Sequence, residues 1–168
     1  MRTLIIGFGN PLRGDDGVGW YVAAHAAEHL NGAHVRTVAC SELLAGLADV
    51  VREADLVVFV EAGYGATGGE VMCTPVQPES HVRAPKSAAV SPEQLLAMAR
   101  RDDGGCRWPA AFLLTVTGSS FGPGDGLSPA VRHACPAVLK RIASLVLQQG
   151  GAVLTSHGVP VREMYGYA

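Results

Sequence analysis

Residues 4–19 read LIIGFGNPLRGDDGVG and decide the fold class. Leu4–Ile6 is continuously apolar, which is the pattern of a parallel strand whose two faces are both covered. The glycine-rich turn after it leads into a stretch from Gly17 to Leu30 with helical apolar periodicity. A strand, a tight turn and a helix in this order predict an α/β fold.

The rest of the chain repeats this alternation. Further strands are predicted at 34–38, 56–60, 70–74 and 112–116, and further helices at 41–51, 94–101 and 129–148. The runs at 56–60 and 113–116 are as apolar as the first strand, so these three strands are expected at the centre of a parallel sheet. With 168 residues and no repeat or linker, the prediction is one α/β domain over residues 1–168, with helices on both faces of the sheet.

The composition excludes several classes of protein. Hydrophobic residues make up 48% and charged residues 17% of the chain, which suits a packed core and excludes disorder. Thirteen Lys and Arg residues against fifteen Asp and Glu residues give a net charge of −2, with no basic footprint for nucleic acid. The apolar runs fall far short of the roughly 20 residues that span a bilayer. Neither nucleic acid nor a membrane is therefore expected as a partner.

The cysteines and the N-terminus indicate the cellular compartment. Cysteines at 40, 73, 106 and 135 are too far apart for any C-x-x-C pair, and we expect them to be reduced thiols. The first strand begins almost at Met1, with no charged and apolar leader before it. A cytoplasmic protein is expected.

Two adjacent acids, Asp15 and Asp16, occupy the predicted start of the first helix. A glycine-rich turn at a helix start can bind phosphate, but two carboxylates there would repel it, so a cation is the better ligand. The helix dipole favours the ionised form of both acids. One is expected to cap the helix while the other remains an oxygen ligand for a metal; the alternative is that both are caps.

Glu61 is the second candidate, directly after the apolar run 56–60. The loops that leave neighbouring parallel strands converge on one crevice, so Glu61 is expected to face Asp16 there. Two acids in one crevice indicate a divalent metal. The alternative is an ordinary solvated loop carboxylate.

Histidines supply further candidates. His25, Glu28 and His29 have the H-x-x-E-H spacing of a zinc protease, but on a crossover helix the two histidines are better explained as half-buried packing residues. His81, in a long proline-rich segment, and His157, near the end of the chain, could each ligate a metal or lie at the surface.

Residues 4–19 resemble the opening signature of the hydrogenase maturation proteases, the endopeptidases that trim the C-terminal extension of the nickel–iron hydrogenase large subunit. The segment VVFVEA at 57–62, the turn at 69–71 and the segment GSSFGPGDGLSPAV at 118–131 are similar to later parts of this family. The resemblance implies a three-layer, phosphorylase/hydrolase-like fold, with helices on both faces of a twisted, mostly parallel sheet. It also implies a site where two acids and a histidine contact nickel presented by the precursor.

The resemblance assigns these ligands residue by residue. Asp16 matches the first acid and Glu61 the second, where the family more often has aspartate. The family's histidine element aligns with residues 86–96, where Ala88 stands in place of the imidazole. His157 imitates the missing element and is expected to be the third metal ligand; the alternatives are His81 or a site with two side-chain ligands only.

Two functions are implied. The first is a cytoplasmic, metal-dependent endopeptidase that acts on a hydrogenase large-subunit precursor, with nickel presented by that precursor or with another divalent metal. The second is a metal- or precursor-binding maturation chaperone of the same fold that no longer cleaves, which the alanine at position 88 favours.

Overall fold

A computed structural model of the chain describes residues 1–30, 34–80, 88–101, 107–124 and 126–150. Its strands and helices, in chain order, are β1 (Thr3–Phe8), α1 (Val18–His29), β2 (Val35–Cys40), α2 (Ala48–Glu53), β3 (Leu56–Tyr64), β4 (Val71–Pro75), α3 (Pro92–Met98), β5 (Ala110–Gly118) and α4 (Pro129–Gln148). Short 3-10 turns at Gly14–Gly17 and Ala45–Leu47 precede α1 and α2.

The strands form one sheet in the order β2-β1-β3-β5-β4. Four of them run parallel, and β4 pairs antiparallel to β5 at one edge. The three most apolar strands, β1, β3 and β5, are the internal ones, as the sequence predicts. This order confirms the expected α/β fold with a mostly parallel sheet.

Each face of the sheet carries its own hydrophobic core. Val58 and Val60 of β3 point into a core that α1 and α4 complete, whereas Val57 and Phe59 point into a second core with α2 and α3. The side chains of β3 thus alternate between two buried faces, which is why its sequence is apolar at every position. The described elements therefore form the three layers expected from the sequence.

Several boundaries differ from the predictions. The helix expected at 41–51 begins only at Ala48, after a 3-10 turn, and α3 occupies Pro92–Met98 rather than 94–101. The strand expected at 56–60 extends to Tyr64, so Glu61 lies inside β3 and not in a loop after it. Pairing with β5 explains this extension, because it continues as far as Tyr64 and Gly118.

Two further expectations concern cysteines and membranes. Cys40, Cys73 and Cys135 are free thiols in the structure, and Cys106 lies outside the described residues. None of the helices in the described part of the chain is long and apolar enough to cross a membrane.

Candidate functional site

The carboxyl edge of the parallel strands brings the two predicted acids together. Asp16 lies in the turn that follows β1, and Glu61 lies on the neighbouring strand β3. Gly7 of β1 pairs with Val60, so Glu61 is the first β3 residue beyond the β1 pairing. The expectation that Asp16 and Glu61 share one edge of the sheet is met.

Glu61 is half-buried, and its surroundings oppose its charge. Burial raises the pKa of the Glu61 carboxyl, and repulsion from Glu93 and Asp16 raises it further. A hydrogen bond of 3.5 Å from Thr115 Oγ1, on the paired position of β5, acts in the opposite direction. A divalent cation between the carboxylates would offset both the burial and the repulsion. The pair therefore concentrates negative charge at this edge, and its role as a metal site stays a prediction.

Asp16 is held by the turn that precedes it. Its Oδ2 accepts a hydrogen bond of 3.0 Å from the backbone N–H of Asn10. Gly9 has a φ of 129°, and a Cβ at this position would lie 2.2 Å from the backbone oxygen of Asp16. The glycine is therefore needed for the close approach of the acidic turn to β1.

The expectation that one of the two acids caps the first helix is wrong. Neither α1 nor the 3-10 turn before it has a side-chain cap. Asp15 is instead fully buried and accepts hydrogen bonds from the segment between β5 and α4. These bonds lower the pKa of the Asp15 carboxyl against the opposing effect of burial, which is the largest single influence on it. Asp15 is thus a structural carboxylate, and Asp16 is the more accessible of the two.

Two residues at this edge were not predicted from the sequence. Trp20 donates its indole N–H to the backbone oxygens of Gly9, at 2.9 Å, and Cys40, at 3.0 Å, and so ties the acidic turn to the end of β2. Glu93, in the first turn of α3, repels the Glu61 carboxylate. The signal for Glu93 was the sequence Ser91-Pro92-Glu93-Gln94, which begins a helix with a capping box.

The structure does not supply the expected histidine ligand among the described residues. Ala88 is exposed, and Ala89 beside it bridges to Leu44, which follows β2 at the carboxyl edge. His157 and His81 both lie outside the described residues, so their roles stay predictions. Asp16 and Glu61 likewise remain predicted metal ligands.

The zinc-protease alternative has no support in the described part of the chain. The His25 ring stacks on Tyr21, with centroids 4.0 Å apart, and its Nδ1 lies 2.9 Å from the Tyr21 backbone oxygen. His29 is exposed, so the packing interpretation holds for His25 and is wrong for His29. No group of three or more His, Cys, Asp or Glu side chains within residues 1–30, 34–80, 88–101, 107–124 and 126–150 is placed to hold a metal ion.

Solved structures with this fold include several proteases. The hydrogenase maturating endopeptidase HybD from E. coli superposes with a TM-score of 0.71 at 20% identity, over 95% of this chain and 98% of that chain. The NiFe hydrogenase maturation protease HycI from Thermococcus kodakarensis gives a TM-score of 0.68 at 23% identity, over 86% and 92% of the two chains. An endopeptidase from Escherichia coli gives 0.69 at 21% identity, over 92% and 98%.

No family model and no curated protein sequence matches the chain. At these identities the structural likeness establishes the fold, and it extends over nearly the whole length of the solved proteases. The chain therefore has the three-layer α/β fold of the hydrogenase maturation proteases.

Proposed function

We propose that the protein is a cytoplasmic endopeptidase that removes the C-terminal extension of a nickel-loaded hydrogenase large-subunit precursor. The observation that carries the proposal is that Asp16 and Glu61 lie at the same carboxyl edge of the sheet, in a chain with the fold of the maturation proteases. The nickel belongs to the substrate in this proposal, so the protein needs no metal of its own.

The two acids would recognise the metal in the precursor. Among the described residues Asp16 Oδ1 accepts no hydrogen bond, and it is available to a cation. Thr115 orients the Glu61 carboxylate by a hydrogen bond. A nearby positive charge would stabilise the ionised carboxylate, because it would offset the cost of burial and the repulsion by Asp16. The nickel would then polarise a water or the scissile carbonyl, which is the chemistry that a metal ion supplies to hydrolysis.

The surface around the acids favours a protein substrate. Among the described residues, the large apolar side chains that are exposed are Leu12, Leu44, Tyr64 and Met72, at 73%, 46%, 83% and 52%. Leu12 and Leu44 follow β1 and β2, and Tyr64 is the last residue of β3. Met72 of β4 pairs with Thr115 of β5, and Thr115 pairs on its other side with Glu61 of β3. Exposed apolar side chains gathered at one edge are typical of a protein-binding surface.

A second function is a chaperone of the same fold that binds the precursor without cutting it. Ala88 favours it, because an alanine stands where the family's histidine is expected. A site with two oxygen ligands alone would hold nickel more weakly than one with an imidazole.

One experiment separates the two functions. The purified protein is incubated with nickel-loaded and with nickel-free hydrogenase large-subunit precursor, and the precursor mass is measured. Loss of the C-terminal extension from the nickel-loaded form alone is expected of the endopeptidase. A stable complex with a precursor of unchanged mass would contradict the endopeptidase and support the chaperone.

A further inference from the structure

One buried carboxylate holds both ends of the segment between β5 and α4. Asp15 is 0% exposed, and its Oδ2 accepts hydrogen bonds from the N–H groups of Ser119 and Ser120, at 2.8 and 2.9 Å. The N–H of Ser128 donates to Oδ1 at 2.7 Å, and its hydroxyl donates to Oδ2 at 2.9 Å. The backbone N–H of Asp15 donates in turn to Ser120 O at 2.8 Å. Asp15 thus fastens the acidic turn to residues 119–128.

The same segment is joined to the strand that carries Glu61. Ser119 directly follows β5, and Thr115 of β5 is both the paired residue and the hydrogen-bond donor of Glu61. Phe121 also packs on Tyr64, the last residue of β3, with ring centroids 4.6 Å apart. A short path of direct contacts therefore runs from the Asp16 turn, through Asp15, to Glu61.

The packing around Asp15 leaves little room for adjustment. A Cβ at Gly14 would lie 2.5 Å from Ser120 O, and a Cβ at Gly118 would lie 2.9 Å from the Asp15 Cβ. An ionised carboxylate only accepts hydrogen bonds, which suits the five donors that surround it, the fifth being the Ser119 hydroxyl at 3.4 Å from Oδ2. An asparagine would turn an NH2 group toward some of these donors, and the contacts could not all be kept.

We propose that Asp15 is a positioning residue that fixes the Asp16 and Glu61 carboxylates relative to each other. Its contribution to catalysis rests on the proposed function, but its effect on the geometry does not. Functional groups must be held to within about 0.5 Å of the productive geometry, and one buried clamp between the two acid-bearing segments provides such a constraint.

Two measurements on Asp15→Asn test the proposal. In crystal structures of the wild type and the variant, we expect the distance between the Asp16 Cγ and Glu61 Cδ atoms to change. In the processing of nickel-loaded precursor we expect kcat to fall by about 100-fold while KM is little changed, because misplacement of the acids affects the reaction more than precursor binding. Ser128→Ala keeps the carboxylate and removes one donor, and we expect smaller changes in the same direction.

Asp55→Asn is the matched control. Asp55 also accepts hydrogen bonds as a carboxylate, from Arg2 and Arg101, but at the opposite edge of the sheet. We expect its amide variant to leave the carbon–carbon distance and kcat unchanged. An unchanged distance in Asp15→Asn, or a loss of kcat no greater than in Asp55→Asn, overturns the proposal.

The geometric measurement separates this proposal from the proposed function. If the wild-type protein cuts no precursor, the endopeptidase is refuted, while the crystallographic distance still decides the role of Asp15. If Asp15→Asn does not fold, Ser128→Ala decides, and an unchanged distance in that variant overturns the proposal.

Discussion

Asp16 and Glu61 lie in different surroundings. Glu61 is half-buried, and its pKa is raised by burial and by two neighbouring acids, whereas Asp16 is stabilised by the N–H of Asn10. Substitution at each position therefore has a distinct expected effect.

Asp16→Asn is expected to abolish nickel-dependent processing and to leave the fold intact. The amide keeps the shape of the side chain and can still accept the hydrogen bond from Asn10, but it removes the negative charge that would contact nickel. The mass assay on nickel-loaded precursor measures processing, and circular dichroism checks the fold. Full processing by this variant would remove Asp16 from the proposed mechanism.

Glu61→Gln is expected to abolish processing while the protein becomes no less stable at neutral pH. Because the folded-state pKa of Glu61 is raised, its ionisation favours the unfolded chain once the pH exceeds the unfolded pKa, and this cost is fully present above the folded pKa. The neutral glutamine avoids that cost. Urea unfolding at pH 4 and pH 8 tests the sign.

Glu61→Asp serves as the conservative partner of this variant, since it keeps the charge and is the residue more common in the resembling family. It should retain part of the processing activity. A clear loss of stability at pH 8 in Glu61→Gln would contradict the assigned cost of the Glu61 charge.

The acidic pair also shows what a sequence can and cannot predict at the scale of one residue. The spacing of the opening motif predicts that an acid lies at the carboxyl edge of β1, and it does. It does not predict which of two adjacent aspartates is buried, because the partners of Asp15 lie 104 to 113 residues later in the chain. Contacts of this range depend on tertiary packing and leave no local pattern.

At the scale of elements, the positions of the central strands were predicted better than their ends. The apolar runs locate β1, β3 and β5 because burial on both faces demands apolar residues throughout. The extension of β3 past Val60 was missed, since Ala62, Gly63 and Tyr64 have no strand pattern of their own. They are held in the sheet by pairing with β5.

Helix α3 depends on its N-terminal cap. Ser91 Oγ accepts a hydrogen bond from Gln94 N, and the Gln94 side chain accepts one from Ser91 N, at 3.2 and 3.1 Å. Ser91→Ala removes the first bond, and we expect it to lower the free energy of unfolding by about 1 kcal/mol. For a domain of this size that is a fall in Tm of roughly 2–4 °C, measurable by calorimetry.

Gln94→Ala is the companion variant, because it removes the other half of the capping box and leaves the serine in place. It should cost less than Ser91→Ala, since the Ser91 hydroxyl still accepts the Gln94 N–H. An unchanged Tm in Ser91→Ala would show that the cap does not stabilise α3.

At the scale of the molecule, the two edges of the sheet are built from different interactions. The carboxyl edge collects acids, namely Asp15, Asp16, Glu61 and Glu93, whereas the amino edge joins acids to arginines. Asp55 accepts the N–H of Arg2 at 2.8 Å and pairs with the guanidinium groups of Arg2 and Arg101, both at 3.4 Å. Arg101 also donates to the backbone oxygens of Arg52 and Ala54, so this edge ties the starts of β1 and β3 to the segment after α3.

This difference predicts how the protein responds to acid. The Arg2 N–H lowers the pKa of Asp55 from 3.8 to about 2, with smaller contributions from the side chains of Arg2 and Arg101. A depressed carboxyl pKa stabilises the folded state above pH 3.8, and this stabilisation is lost as the pH falls through 2.

Because the Asp55 side chain is 35% exposed and water screens its ion pairs, we expect it to contribute roughly 1 kcal/mol. Asp55→Asn should therefore lower the free energy of unfolding at pH 7 by that amount and converge with the wild type near pH 2, in urea titrations across this range. A constant difference between the two proteins from pH 7 to pH 2 would show that the amino edge is held by packing and not by the Asp55 charge.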